Sequence, residues 1–102
     1  MPLFASIRFW ETDSSSVPEI LRRARSEFVP LLSKINGFES YEIVDTGKGQ
    51  LVSLSIFQTE TGAFQSNQVA VDWVKSQKDL TLKLSRAVSG VVVLRQNQNE
   101  FK

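Results

Sequence analysis

Residues 38–58, FESYEIVDTGKGQLVSLSIFQ, decide the fold, because they contain two strand-like runs separated by a turn signal. Tyr41 and Ile43 share one face of residues 38–45, and Val52, Leu54 and Ile56 share one face of residues 51–58, and this period of two is typical of a β-strand. Residues 46–49 lie between the runs and supply two glycines that adopt positive φ easily. The stretch is therefore predicted to form an antiparallel hairpin.

A helix is predicted on the N-terminal side of this hairpin. Apolar residues recur at steps of three and four over residues 17–35, which places them on one stripe of a helix. Ser16 and Glu19 have the spacing of a capping box, and Gly37 follows the last turn as a C-terminal cap. Pro30 interrupts the pattern and predicts a kink, because proline cannot donate a helical hydrogen bond.

The other elements complete a βαββαβ order. They are a strand over 3–10, a second helix over 59–78 and a last strand over 87–95. Residues 80–86 fit either a strand or a short helical turn. The order predicts an α+β, ferredoxin-like fold, with a four-stranded antiparallel sheet and both helices on one face. The chain of 102 residues is predicted to be one domain, with a core over about 3–95 and a polar tail over 96–102.

Composition excludes several kinds of chemistry. The chain contains no cysteine and no histidine, so thiolate sites, Ser-His-Asp arrangements and histidine-ligated metals are ruled out. Twelve basic and eleven acidic residues give a net charge of +1, which argues against nucleic-acid binding through bulk charge. Neither a signal peptide nor an apolar run of membrane length is present, and we expect a cytoplasmic protein that does not associate with a membrane.

The second face of the predicted sheet also carries apolar residues in every strand. Two helices on one side cannot cover it, and a large exposed apolar face is unfavourable in water. A second copy of the same sheet is the simplest partner. We therefore expect a homodimer formed through facing sheets.

Several segments together resemble a known family. They are Phe28-Val29-Pro30-Leu31-Leu32, Ile35-Asn36-Gly37-Phe38, Tyr41, Val44-Asp45, Ser53-Leu54-Ser55-Ile56-Phe57, Ser66-Asn67 and Asp72-Trp73-Val74. Over about residues 3–94 the chain resembles the antibiotic biosynthesis monooxygenase-like proteins of the dimeric α+β barrel superfamily. Within that group it is most similar to small bacterial members without an assigned function.

The resemblance implies a dimer with two ligand cavities, but it does not imply one reaction. Cofactor-free oxygenases of this superfamily place Asn, Trp and Tyr on or near the second helix and an Arg near the last strand. Asn67 and Trp73 match the first two, and Arg86 or Arg95 flanks the last strand. No tyrosine follows Trp73, so the set is incomplete. Haem-binding members use a histidine, which this chain lacks, and no cofactor is expected.

The second helix carries three candidate site residues. Asn67 falls within the apolar arc and should face the sheet, where its amide either binds an oxyanion of a substrate or satisfies a buried backbone group. Phe64 defines the same apolar face and is a candidate ligand contact. Trp73 lies opposite Phe64, where it either stacks on an aromatic ligand or packs against the C-terminal segment or a partner subunit.

The strands carry the remaining candidates. Arg8 shares a face of the first strand with Trp10, and it either binds an anionic oxygen or pairs with a carboxylate at the sheet edge. Trp10 would form a pocket wall. Tyr41 is either a proton donor or acceptor, or a packed core residue with its hydroxyl hydrogen-bonded. Ser55 and its neighbour Ser53 either hydrogen-bond a ligand or lie at the dimer face.

Two functions follow as hypotheses. The first is a cofactor-independent, monooxygenase-like enzyme that acts on an aromatic or enolisable metabolite, with the pocket in the helix–sheet interior. Asn67 would stabilise the oxyanion, and Arg8 or Arg86 would assist. The second is a non-catalytic dimeric module that binds a small hydrophobic or aromatic ligand. A purely structural protein would instead contain no cavity of ligand size.

Overall fold

The computed structural model describes residues 2–96, so most of the predicted polar tail lies outside the described residues. The strands are β1 (Leu3–Glu11), β2 (Phe38–Gly47), β3 (Gln50–Phe57) and β4 (Lys83–Val92). The helices are α1 (Val17–Arg23), α2 (Val29–Ser33) and α3 (Glu60–Ser76). The last strand begins at Lys83 rather than at residue 87, which settles most of the ambiguous 80–86 segment as strand.

The four strands form one antiparallel sheet in the order β2-β3-β1-β4. This confirms the predicted ferredoxin-like α+β fold. On β1, Ser6, Arg8 and Trp10 point to the helices and are buried. Their neighbours Ile7 and Phe9 alternate onto the opposite face, which no helix covers among the described residues.

The first helix is interrupted rather than simply kinked. A single π-helical turn, Ala24–Phe28, separates α1 from α2, and the Val29 N–H donates to the carbonyl of Ala24. The wider turn ends two residues before Pro30. In a regular helix, the missing N–H of Pro30 would leave the carbonyl four residues earlier without its hydrogen bond. Leu21 and Leu31, both predicted to face the core, are each 39% exposed.

The predicted capping box does not form. The Ser16 side chain makes no capping hydrogen bond, and Glu19 instead accepts hydrogen bonds from the guanidinium groups of Arg22 and Arg23. At α3, by contrast, the Thr59 hydroxyl caps the helix by accepting the N–H of Gly62.

The orientation of α3 differs from the prediction. Its buried residues are Gly62, Ala63, Ser66, Ala70 and Trp73, whereas Phe64 is 75% exposed. Small residues face the sheet because the helix lies close to it: a Cβ on Gly62 would lie 3.1 Å from the ring of Phe57. The bulk of Phe64 could not fit in that space.

Candidate functional site

The helix–sheet interior contains a buried polar cluster around Arg8, which we call the Arg8 cluster. Its other members are Ser6, Ser55, Ser66 and Asn67. Because β1 and β3 pair with Ser6 opposite Ser55, both hydroxyls reach the guanidinium from the sheet. Ser66 and Asn67 reach it from α3. The structure thus brings together Arg8, Asn67 and Ser55, three of the predicted site residues.

Asn67 is the central acceptor of the Arg8 cluster. Its Oδ1 accepts a hydrogen bond from Arg8 Nη1 at 2.9 Å and another from the Ser6 hydroxyl. Its Nδ2 donates to the Ser89 hydroxyl at 3.3 Å. The prediction that Asn67 faces the sheet is therefore confirmed, although its partners are side chains rather than backbone groups.

All the hydrogen-bond partners of Arg8 are neutral. Nη2 donates to Ser55 at 2.7 Å, and Nη1 donates to Ser66 at 3.2 Å besides Asn67. Within residues 2–96 no carboxylate pairs with Arg8, so the predicted alternative of an ion pair at the sheet edge is wrong. The Nε atom has no partner there.

This arrangement places a full charge in a low-dielectric site. Arg8 is 0% exposed, and burial lowers its pKa, with the nearby Tyr41 phenol acting in the opposite direction. A guanidinium nevertheless remains charged at neutral pH. A buried charge without a counter-charge is costly, because neutral hydroxyls replace only part of its hydration. Among residues 2–96, hydroxyl and amide dipoles alone compensate this charge, and Arg8 lines neither the interior pocket beside Tyr41 nor the cleft on the other side of the cluster.

Tyr41 borders the Arg8 cluster from β2. Burial raises the pKa of its phenol, while Arg8 and Ser53 act in the opposite direction. The phenol is thus protonated at neutral pH and is a proton donor rather than a base. Its ring packs edge-on against Phe28 at 5.4 Å between centroids.

The interior pocket beside Tyr41 is small. Trp10 and Trp73 line it with Phe28 and Leu82, and the centre of a water molecule can lie within only about 20 Å³ of it. That is room for about one water, not for an aromatic ring. The expectation that the helix–sheet interior holds a ligand-sized space is therefore not met in this conformation.

Both tryptophans have packing and hydrogen-bonding roles in that interior. Trp10 Nε1 donates to the Ser53 hydroxyl at 3.0 Å, which places Ser53 on the helix side of the sheet. Ser55 lies on the same side, so neither serine is at the predicted dimer face. Trp73 packs on Phe28 at 5.3 Å between ring centroids and donates to Glu27, so within residues 2–96 it packs against the first helix.

A larger cleft opens on the other side of the Arg8 cluster. It has a volume of about 380 Å³ and lies between α3 and the β1–β4 pair. Phe4 and Phe64 form apolar walls, and Ser89, which is bonded to Asn67, contributes a hydroxyl. The volume is in the range of small-molecule sites. Phe64, predicted to face the helix–sheet interior, instead lines this outer cleft.

Arg86 is not brought to the Arg8 cluster. It pairs in register with Phe9 and lies over the Phe9 ring at 5.8 Å, on the sheet face opposite the helices. It therefore cannot assist Asn67 within one subunit. Ala87 is the residue of β4 that lies opposite Arg8. Because successive side chains of a strand point to opposite faces, Arg86, one residue earlier, points to the face away from Arg8.

Two members of the Arg8 cluster were not predicted as site residues. Ser6 precedes Arg8 by two positions on the same strand face, and Ser66 adjoins Asn67. The available signal was small hydroxyl residues at buried positions beside a buried arginine. Sequence alone does not place Ser66 there, because that depends on the rotation of α3.

The segment between α3 and β4 is fastened over the interior pocket. Arg23 of α1 binds Asp79 through two hydrogen bonds of 2.7 and 2.9 Å and also binds Gln77. Leu82, a few residues later, lines the pocket. The pKa values of Asp79 and Glu19 are both lowered to about 2, chiefly by hydrogen bonds from arginine.

These lowered pKa values predict a loss of stability in acid. A carboxyl whose folded-state pKa is lowered stabilises the fold above its unfolded-state pKa of ~4, and that contribution is lost as the pH falls towards about 2. Asp79→Asn should therefore flatten the melting temperature profile between these pH values. Asp72→Asn, at an exposed carboxylate that accepts only from Gln68, is the control. An unchanged profile in Asp79→Asn would contradict the assignment.

No group of three or more acidic side chains within residues 2–96 is arranged to hold a metal ion. No helix in that range is both long enough and apolar enough to cross a membrane.

Comparison with solved structures supports the fold of the chain. No protein-family model matches the chain, and no curated protein matches it. MupZ from Pseudomonas fluorescens is a similar solved structure, with 13% identity over 87% of this chain and 71% of that one, at a TM-score of 0.69. A dimeric ferredoxin-like protein from an uncultured marine organism shares 13% identity over 96% and 100% of the two chains, at 0.68.

A third similar structure is SnoaB, a cofactor-independent oxygenase from Streptomyces nogalater. It shares 9% identity over 94% of this chain and 96% of that one, at a TM-score of 0.61. The resemblance to antibiotic biosynthesis monooxygenase-like proteins is thus confirmed at the level of fold. At these identities the likeness does not extend to a reaction.

Proposed function

We propose that this chain binds a small aromatic or enolisable metabolite, with an anionic oxygen of the ligand directed at the Arg8 cluster. The observation that carries the proposal is the complete burial of Arg8 among neutral partners. A ligand enolate or phenolate in the outer cleft would supply the missing negative charge from beside Ser89, which is joined to Arg8 through Asn67. The outer cleft has the volume for the ring, and Phe4 and Phe64 are its aromatic walls.

Similarity to a cofactor-independent oxygenase favours catalysis at this site. In such a reaction, the substrate releases a proton to solvent and becomes an enolate or phenolate, which Arg8 would stabilise through its charge. Reaction with O₂ then converts a CH₂ group into C=O and releases water, so the substrate supplies all the electrons. Asn67 would hold the guanidinium in position, whereas Tyr41 lines the interior pocket and not the outer cleft, so it would not contact a substrate bound in that cleft.

Binding without catalysis is the second candidate. It is favoured by the contacts of Asn67, whose oxygen and amide nitrogen are both already hydrogen-bonded within the protein. It is also favoured by the neighbours of Arg8, which are hydroxyls and an amide and so include no strong general base. On this hypothesis the substrate oxygen is bound but no proton is removed.

The partner is proposed to be a second copy of the chain. The sheet face opposite the helices is apolar in every strand, and one similar solved structure is described as a dimeric ferredoxin-like protein. The dimer and a cytoplasmic location both remain proposals for this chain.

The proposed function is tested with a panel of hydroxylated naphthalenes and 1,3-diketones. We expect at least one compound to bind, and Phe64→Ala to weaken it about ten-fold, because the ring loses an aromatic wall. Leu31→Ala, at another partly exposed apolar side chain on the first helix, should leave binding unchanged. Binding would be measured by calorimetry and turnover by oxygen consumption.

The outcomes separate the candidates. Oxygen consumption with a stoichiometric oxidised product supports the enzyme, and binding without it supports the non-catalytic module. Failure of the whole panel to bind would overturn both. Trp10 and Trp73 line only the interior pocket, so protection of their fluorescence from acrylamide by a bound 1,3-diketone would place the ligand there and not in the outer cleft.

A further inference from the structure

The sheet face opposite the helices, which we call the outer face, is almost entirely apolar. Its apolar members are Leu3, Ala5, Ile7, Phe9, Val44, Val52, Leu54, Ile56, Val88 and Val92. Two charged residues stand within it: Glu42 on β2 and Arg86 on β4. At the strand ends, Glu11 and Lys83 are opposite each other in register.

The two charges of the outer face lie at opposite edges. In the order β2-β3-β1-β4 they are separated by three strand intervals, which is roughly 14 Å across the sheet. Register places Glu42 in line with Leu54, and Arg86 in line with Phe9, so the two are also one row apart along the strands. Glu42 and Arg86 therefore do not reach each other within one subunit.

A second copy could cover this face in two simple ways. A two-fold axis across the strands places β2 over β2 and β4 over β4, so that like charges face each other. A two-fold axis along the strands places β2 of one subunit over β4 of the other, which brings each Glu42 towards an Arg86. Facing sheets lie about 10 Å apart, a gap that a glutamate and an arginine side chain span together.

We propose that the outer face dimerises with its two-fold axis along the strands, and that reciprocal Glu42–Arg86 pairs between subunits fix this arrangement. The inference rests on the dimer proposed above. Like-charge contacts disfavour the other orientation, so the pairs act mainly on specificity. An unrelated apolar partner would not satisfy two opposite charges at the two edges of one face.

The area is sufficient for such a dimer. Four strands of about nine residues present a face of roughly 19 Å by 30 Å, so two faces bury on the order of 1,100 Å². This exceeds the ~1,000 Å² expected of a specific interface. The Arg86 guanidinium already lies over the Phe9 ring. This contact keeps the Arg86 side chain on the outer face, where a second subunit would meet it.

A charge exchange tests the pairing. Glu42→Arg and Arg86→Glu should each weaken the dimer at least ten-fold, because each places like charges together twice in the symmetric interface. The variant that carries both changes should return the dimer dissociation constant to within about three-fold of the wild-type value. Asp72→Arg, with the same charge change on the exposed side of α3, should have no effect. Sedimentation equilibrium measures all four proteins, and far-UV circular dichroism verifies that each is folded.

Each other outcome contradicts a defined part of the inference. If neither single change alters the dissociation constant of the dimer, the Glu42–Arg86 pairing is wrong, but the proposed dimer is not contradicted. A single change that weakens the dimer without rescue by the double change would also overturn the pairing. A wild-type chain that stays monomeric at high concentration would overturn the dimer itself, whereas the ligand proposal at the Arg8 cluster would be unaffected. If Glu42→Arg does not fold, Glu42→Gln and Arg86→Gln replace the single variants, with a smaller expected weakening.

Discussion

Asn67→Asp is expected to stabilise the protein by about 1–3 kcal/mol while abolishing the binding of anionic ligands. The substitution changes an amide to a carboxylate of the same shape, 2.9 Å from the Arg8 guanidinium. Arg8 is already buried in the wild-type protein, so its desolvation adds no new cost. The new carboxylate therefore gains the attraction of a buried positive charge. A ligand anion would then be repelled instead of attracted. Thermal unfolding and calorimetric titration measure the two effects.

The pH dependence of this gain has a defined sign. The introduced carboxylate should have a folded-state pKa below its unfolded-state value of ~3.9, because Arg8 favours its ionised form. The extra stability should thus be present above pH ~4 and should disappear as the pH falls below it. Asn67→Leu is the matched control. It removes an acceptor from buried Arg8 and should destabilise the protein by about 1–3 kcal/mol.

Arg8→Met supplies the test that the effect is a charge pairing. In that background the Asn67→Asp change should destabilise the protein, because a carboxylate would then be buried without a counter-charge. A double-mutant cycle isolates the coupling between the two positions. If Asn67→Asp lowers stability in the wild-type background by as much as Asn67→Leu does, Arg8 is adequately compensated by its neutral partners and the case for an anion site fails.

Gly49→Ala is expected to destabilise the protein by about 3–5 kcal/mol. Gly49 lies in the β2–β3 turn at φ +78°, and a Cβ there would come within 1.9 Å of the carbonyl oxygen of Thr12. The Thr12 N–H donates to the Gly49 carbonyl at 2.8 Å, so this turn is fastened to the chain after β1. Both the hairpin and that contact would have to move. Chemical denaturation would measure the change.

Gly47→Ala separates the steric effect from backbone strain. Gly47 also has positive φ, +96°, but a Cβ there has no atom within 4 Å. The expected loss is therefore only the cost of a left-handed residue, about 1–2 kcal/mol. Equal losses at the two positions would show that the contact with Thr12 yields easily, and that glycine is required at Gly49 only for its φ.

The hairpin and the strand faces could be predicted from the sequence because they depend on local properties. Alternation along β1 placed Arg8 and Trp10 on one face, and alternation along β3 placed Ser53 and Ser55 together. The two glycines of the turn determine where the chain reverses. A period of two leaves each side chain only two faces to occupy, so the pattern itself carries the assignment.

Helix orientation could not be predicted in this way. The large apolar Phe64 was expected to face the core, but the structure places Gly62, Ala63 and Ser66 there. A short distance between α3 and the sheet selects small residues, and that distance is a property of the packed molecule. The π-helical turn before Pro30 is a similar case. The sequence predicted only a kink at Pro30, whereas the structure has a wider turn that buries Ala24 and Phe28.

By itself, the sequence determined the βαββαβ order, the apolar residues on both faces of the sheet and the placement of Arg8 and Trp10 on one face of β1, since each follows from periodicity along the chain. Only the tertiary structure decided that no carboxylate among residues 2–96 pairs with Arg8, that Asn67 does so instead, and that Arg86 lies on the opposite face. Partners of a buried charge come from segments about 50 to 60 residues away in the chain, such as Ser55 and Ser66. Periodicity assigns a side chain to a face, but only packing determines what it meets there.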